Sequence, residues 1–188
     1  MIIEQKLYNG DLIHERFAYR FFRKGVSPYG NIISFIAPME VTVNLVDLED
    51  SLQKDYIYSN SAINFCWEIP NLCPLGAVAF QRLFNTTIAT ILSRYIERSI
   101  EVDGDDLMVH DSEFKNGKGK VSVSITYSKD NVTLGHTGIN IDAGDKAPDF
   151  AYSTNLEYDR AIRFMQDVNN TFYEMVQDMF VATTKISV

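Results

Sequence analysis

The chain has 188 residues, the size of one domain rather than several. Apolar residues make up 46% and charged residues 22%, with 10 Gly and 5 Pro; that mix excludes a disordered or fibrous chain, because enough apolar surface is present to offset the entropy of folding. A formal charge of −8, from 17 basic and 25 acidic side chains, argues against non-specific nucleic-acid binding, since an acidic surface repels a phosphate backbone unless its positive charge is gathered locally.

In chain order, residues 2–7 read as a short apolar strand, and Asn9-Gly10 as a turn. Leu12, Phe17, Ala18, Phe21 and Phe22 then lie near helical spacing and predict a short amphipathic helix over 11–23. A loop at 25–30 leads to two β-branched runs, 32–38 and 41–46, read as a strand pair. Residues 56–59 are strand-like, and Ser61 is placed to cap a short helix through Trp67. The longest helical stripe, 75–98, carries Val78, Phe84, Ile88, Ile91, Leu92, Tyr95 and Ile96 and predicts the central core helix. Strands follow at 106–111, 120–128 and 132–142, and an amphipathic helix over 155–180 is expected to pack on the sheet. The cleanest alternation puts Val121, Val123, Ile125 and Tyr127 on one strand face and Ser122, Ser124 and Thr126 on the other. Together these segments predict a mixed α/β (α+β) fold, one domain over 1–188.

Cys66 and Cys73 have no second pair to complete a zinc site and are expected to be reduced and buried. Glu4 and Asn9 interrupt the apolar stretch a signal peptide needs, and no later run approaches eighteen uncharged apolar residues. The expected location is the cytoplasm, with no membrane partner. The triplets at Asn85, Asn131 and Asn169 then carry no glycosylation meaning.

Chemistry concentrates in few places. Lys120 follows Asn116-Gly-Lys-Gly119, whose glycines would let a substrate approach the backbone; it is either a solvated strand-edge lysine or one held in a pocket. His136, in LGHTGIN, serves as a proton donor or satisfies a single hydrogen bond. The carboxylate groups Asp47, Glu49, Asp50 and Asp103, Asp105, Asp106 are solvated turns, or bind a divalent ion or an amine-rich heterocycle; neither has calcium-loop spacing, and no metal site is expected. Glu68 and Arg82 adjoin apolar helical segments, where a charge needs a partner or faces a cavity. The RKGVSPYG loop fits neither phosphate-binding fingerprint.

The order GDDLMVHDSEFKNGKGKVSVSI followed by LGHTGINI resembles the catalytic core of biotin and lipoate protein ligases, with Lys120 on the family lysine and Asn140 ending the Gly-x-Asn strand. More closely, VDLEDSLQKDYIYS, NFCWEI, AFQRLF, GDDL, KVSVSI and GHTGINI resemble the family called domain of unknown function 366, over most of residues 8–142. The resemblance implies a mixed, mainly antiparallel sheet flanked by helices, and a pocket for an organic acid. The chain lacks the Gly-Arg-Gly-Arg-x-Gly and Arg-Arg-x-Ser-Gly-Gly-Gly loops that enclose the acyl-adenylate in those ligases.

Without an activating nucleotide, loss of carbon dioxide from an electron-rich heterocycle is a reaction that needs only protonation and electrostatic control. Lys120 and His136 are the candidate catalytic groups. Ser122, Ser124, Glu68, Arg82, Asp47, Asp106 and Asn140 are the candidate substrate-binding residues, the carboxylates suiting a guanine-like N–H edge. The resemblance carries an association with deazaguanine pathways, so the substrate it implies is 7-carboxy-7-deazaguanine, with no cofactor. Two other readings are open: an ATP-dependent lipoate- or biotin-type ligase or acyl transferase, and a non-catalytic ligand-binding module. A homodimer through the apolar strands and the aromatic-rich N-terminal helix is expected at even odds.

Overall fold

Two long strands buried on both faces organise the molecule. The computed structural model describes residues 1–43, 45–53 and 56–185. Among these the elements follow as α1 (Asp11–His14), α2 (Ala18–Phe22), β1 (Asn31–Val41), α3 (Leu48–Gln53), β2 (Ile57–Pro70), α4 (Pro74–Ile96), β3 (Ile100–Asp103), β4 (Asp106–His110), β5 (Lys118–Lys120), β6 (Ser122–Lys129), β7 (Val132–Asp142) and α5 (Tyr158–Thr183). An antiparallel sheet in the order β1-β2-β7-β6 is joined to a small antiparallel sheet, β3-β4-β5.

Residues 61–67 are strand, not the expected helix. They belong to the central strand β2, where Ile63, Phe65 and Trp67 pack beneath α4 and α5 while Ala62 and Cys66 meet the N-terminal segment on the opposite face. A strand buried on both faces loses its polar-apolar alternation and reads as a continuous apolar run. The expected pair 32–38 and 41–46 is instead one strand. Its last partner is Ile57, opposite Val41, and among the described residues beyond Val41 the expected second strand is not formed. Residues 2–7 form only isolated parallel bridges, Ile2 with Ser34 and Tyr8 with Met39; Pro38 and the bulge beside it interrupt the edge of β1. The expected helix over 11–23 breaks in two at Arg16, which has φ 52° and precedes the buried Phe17.

The long helices match their periodicity. Cys73 Sγ accepts the Gly76 N–H at 3.3 Å and Pro74 opens α4, so this exposed cysteine is a helix cap rather than core. Cys66 is fully buried, and burial raises its thiol pKa. α4 is long and apolar enough to span a membrane, but half of it is buried within the fold. On the other side of the large sheet, Tyr8, Leu12, Ile13 and Phe17 form a second core layer against Ile33, Phe35 and Met39.

A polar cluster lies buried in this second layer. Two bulges, one between Ala37 and Met39 and one between Ser61 and Ala62, leave carbonyls out of register. The Asn64 amide nitrogen donates to Ala37 O at 3.4 Å and to Ala62 O at 3.1 Å, which orients Oδ1 as an acceptor. His136 Nε2 lies 2.9 Å from that oxygen, so the ring is the Nε2–H tautomer with a lone pair on Nδ1. The imidazole stacks on Tyr8 with centroids 3.8 Å apart and planes 15° apart.

Burial with no acidic partner lowers the His136 pKa from 6.5 to about 3. The folded protein therefore holds His136 neutral while the unfolded chain protonates it. The stability this gives is whole above pH 6.5 and is lost as pH falls toward 3, at up to about 1.4 kcal/mol per pH unit. Urea unfolding between pH 7 and pH 5 is expected to cost wild type more stability than His136→Phe, which keeps the stack and removes the titration. Equal losses in the two proteins would refute this account.

Candidate functional site

The two sheets meet where β5 passes into β6, and the junction opens a cavity of about 570 Å³ across the edge strand β6. Backbone bonds make its frame. Val121 N–H donates to Leu107 O at 2.9 Å, Asn140 N–H to Val121 O at 2.9 Å and Lys120 N–H to Phe150 O at 2.7 Å. Lys120 is thereby pinned between β4 and the segment 150–152.

Gly119, just before it, has a different use from the one its loop implied. A Cβ there would lie 2.6 Å from the Phe114 ring and 2.9 Å from Tyr152, so the missing side chain admits two aromatic neighbours rather than substrate. Lys120 Nζ reaches into the cavity wall and pairs with Asp106 Oδ1 at 2.7 Å, with 28% and 35% of the two side chains exposed. Half in water, the pair adds little to stability, but it holds an ammonium at a fixed point beside the cavity.

Asp106 and Asp105 stand on the Gly104–Asp105 turn that joins β3 to β4, with Gly104 at φ 62°. α4 buttresses this turn. Asn85 Nδ2 donates to Asp105 O at 2.8 Å, and Arg82 lies 3.4 Å from Asp105 Oδ1 while donating to Gln81 Oε1 at 2.9 Å. Arg82 thus stands behind the cavity, holding a residue that lines it. Asp47 lies on the cavity wall, whereas the side chains of Glu49 and Asp50 fall outside the described residues.

Ser122 and Ser124 depart from expectation. Their hydroxyls point to the α4 side of the sheet: Ser122 Oγ accepts the Leu107 N–H at 2.9 Å, and Ser124 Oγ accepts from Gln81 Nε2 at 2.9 Å and lies 3.1 Å from Thr137 Oγ1. Both serines still line the cavity together with Val123 and Ile125, but their hydroxyls are engaged by protein partners. Glu68 is elsewhere altogether. It pairs with Leu134, about 20 Å along β7 from Asn140 at the usual rise per residue. Its Oε2 accepts the Ala18 N–H at 3.3 Å, and desolvation raises its pKa against the opposing pull of that bond and Arg16.

Asn140 and His136 do line the cavity, at 5% and 2% exposure. Asn140 Oδ1 is buried with no hydrogen-bond partner among the described residues. As an acceptor without a donor it carries a desolvation cost that a ligand N–H would relieve. His136 closes the far end with Tyr8 over it, about 13 Å along β7 from Asn140. Being neutral, and donating its Nε2 proton to Asn64, it is poorly suited to act as the acid expected from sequence.

The open end is aromatic. Tyr56 and Phe150, both about half exposed at 51% and 55%, flank the mouth, with Tyr58 farther in. Tyr56 OH donates to Lys146 O at 2.8 Å, and Lys146 Nζ sits 5.1 Å above the Tyr58 ring. Sequence reading missed Tyr8, Tyr56, Tyr58 and Phe150. The i, i+2 tyrosines were a legible hint, since such residues share a strand face; Phe150 and Tyr8 had none. The site therefore offers a fixed cation with its carboxylate, a neutral acceptor beside it and aromatic walls, a set suited to a planar acid.

Known structures agree with this architecture. A protein of unknown function from Pyrococcus horikoshi superposes with a TM-score of 0.83 at 22% identity, over 100% of this chain and 97% of that one. The biotin protein ligase from Aquifex aeolicus, in complex with biotin and ATP, gives 0.57 at 15% identity over 94% and 70% of the two chains. A lipoate protein ligase from Thermoplasma acidophilum gives 0.53 at 12% over 88% and 82%. Identities this low establish the fold alone, a biotin/lipoate ligase-like one. No curated protein matches the sequence. The family profile described as domain of unknown function (DUF366) matches residues 1–187, and the chain belongs to that family.

Proposed function

We propose that this protein is a cytoplasmic lyase that removes carbon dioxide from a carboxylated, N–H-bearing heterocycle, with 7-carboxy-7-deazaguanine as the substrate. The observation that carries the reading is the Lys120–Asp106 pair, 2.7 Å apart at the cavity wall, in a chain without the glycine- and arginine-rich loops that hold an acyl-adenylate. A carboxylate entering the cavity shares the Lys120 ammonium with Asp106 and so lies beside a like charge. Departure as neutral carbon dioxide relieves that repulsion, and a repulsion weaker in the transition state than in the ground state lowers the barrier.

The chemistry balances with a single proton. Lys120 delivers it to the ring carbon that bears the carboxylate, the bond from that carbon to the carboxylate breaks, and its electron pair restores the aromatic ring. Water at the open end returns the proton to the amine. Asn140 Oδ1, one backbone bond from Val121, accepts the N–H of the five-membered ring. Tyr56, Tyr58 and Phe150 supply flat apolar surface for the heterocycle.

The ligase-like fold favours one second reading, ATP-dependent activation of an acid. That reading predicts pyrophosphate release from ATP and lipoate.

Mass spectrometry separates the outcomes. Purified protein given 7-carboxy-7-deazaguanine and no ATP is expected to yield 7-deazaguanine and carbon dioxide. Lys120→Ala is expected to slow turnover by at least about a hundredfold, the usual size of a positioned proton donor's contribution, with unchanged circular dichroism. Asp106→Asn is expected to bind the acid more tightly yet turn it over more slowly. Ligand recovered intact from wild type, or full activity in Lys120→Ala, would sink the proposal.

A further inference from the structure

At the closed end of the cavity the fold leaves the hydrogen-bonding capacity of His136 half used. Nε2 is committed to Asn64, and Asn64 is itself held by the carbonyls of Ala37 and Ala62 at the two bulges. The tautomer therefore cannot reverse without breaking three hydrogen bonds. Nδ1 is left as a bare acceptor that meets no donor among the described residues. His136 lines the cavity, and its Cε1 is 3.2 Å from the Cβ position of Gly138. Tyr8 covers one face of the imidazole, which rules out that face as a platform for a ligand. With Nε2 committed, Nδ1 is the ring nitrogen of this cavity-lining residue that is left to accept a hydrogen bond.

The other acceptors lie at the opposite end. Asp105, Asp106 and Asn140 gather near Lys120, while the space between is lined by Ile13, Val123 and Ile125. A ligand that anchors its acid on Lys120 and fills the apolar stretch meets His136, with Tyr8 stacked on it, at the far end. About 13 Å of strand separates His136 from Asn140. That interval fits a fused bicyclic ring with a hydrogen bond at each end better than it fits a single small ring.

We propose that His136 is the specificity-determining acceptor of this site, its Nδ1 taking an N–H from an exocyclic amine on the ring edge opposite the carboxylate. The inference rests on the reading of the cavity as an acid site, and it replaces a proton-donor role for His136 with a recognition role. The ligand class is a bicyclic heteroaromatic acid bearing an amine at its distal end. An isostere without the amine leaves Nδ1 desolvated and unpaired, which is how a polar site rejects an otherwise fitting molecule.

The test pairs 7-carboxy-7-deazaguanine with its analogue lacking the exocyclic amine, and measures the affinity of each for wild type and for His136→Phe, which keeps the stack on Tyr8. Wild type is expected to prefer the amine by roughly tenfold or more, a preference His136→Phe loses. Nitrogen-15 NMR of the histidine rings in wild type supplies a readout that needs no variant. His136 Nδ1 is expected to be unprotonated when free and to shift on binding the amine-bearing acid but not its analogue. Binding without discrimination, or an Nδ1 that is protonated or indifferent to the amine, overturns the inference while leaving decarboxylation standing. Discrimination without release of carbon dioxide upholds it and removes the decarboxylase. Failure of wild type to bind either acid overturns both.

Discussion

The site depends on how tightly β7 is packed. Central strands must fit side chains against both faces, and β7 does so by carrying no side chain at two positions. A Cβ at Gly135 would collide with the indole of Trp67, and one at Gly138 would lie 2.6 Å from Met39 Sδ. These absences let a large ring lie flat on one face of the sheet and a thioether on the other, so the sheet is held firmly from both sides. His136 stands between the two glycines on the same strand. Its imidazole can be buried and fixed in orientation because the strand that carries it has no freedom to shift.

Lys120 and His136 illustrate opposite ways of placing a titratable group at a cavity. Lys120 retains contact with water and a carboxylate at 2.7 Å, so its charge is maintained at a low desolvation cost. His136 has neither, and loses its proton on burial. A cavity with a charged open end and a neutral closed end imposes a direction on what enters it: the ionised part of a ligand stays near Lys120, and the uncharged part goes inward.

Much of this was readable in the residues. The alternation of 120–128 marks a half-buried strand, and the long stripes of 75–98 and 155–180 mark helices that lie within a few residues of α4 and α5. The prominence of Lys120 follows from motif order, whereas its pairing with Asp106 emerges only when β4 and β5 are laid side by side. The failures have a common cause in burial on two faces. The segment 61–69 carries apolar residues on both strand faces, Ile63, Phe65 and Trp67 on one and Ala62 and Cys66 on the other, so neither period of 2 nor period of 3.6 stands out, and Ser61 looked like a cap. Ser122 and Ser124 were expected at the site and do line the cavity, but their hydroxyls bond to Leu107, Gln81 and Thr137, and sequence does not reveal which polar groups of an edge strand the neighbouring elements will engage. Glu68 was singled out as a charge in an apolar neighbourhood that needs a partner or faces a cavity; the first alternative holds, since its carboxylate accepts the Ala18 N–H, a partner 50 residues away that sequence does not reveal.

The comparison with ligases gains meaning from the same geometry. Proteins of this fold are found with biotin and ATP or with lipoate. Activation of an acid needs donors for phosphate oxygens, and glycine- and arginine-rich loops supply them in abundance. Here the segment beside the cavity carries instead carboxylates at Asp47, Asp105 and Asp106 and aromatic rings at Tyr56 and Phe150. Acidic groups crowd the place where a triphosphate would add more negative charge, while among the described cavity-lining residues Lys120 is the cation that faces them. That balance suits a mono-anion with N–H groups and penalises a polyanion. Under the proposed decarboxylation, the acid meets one ammonium and its neighbouring carboxylate in place of a nucleotide, and its chemistry is constrained by what those two groups can do.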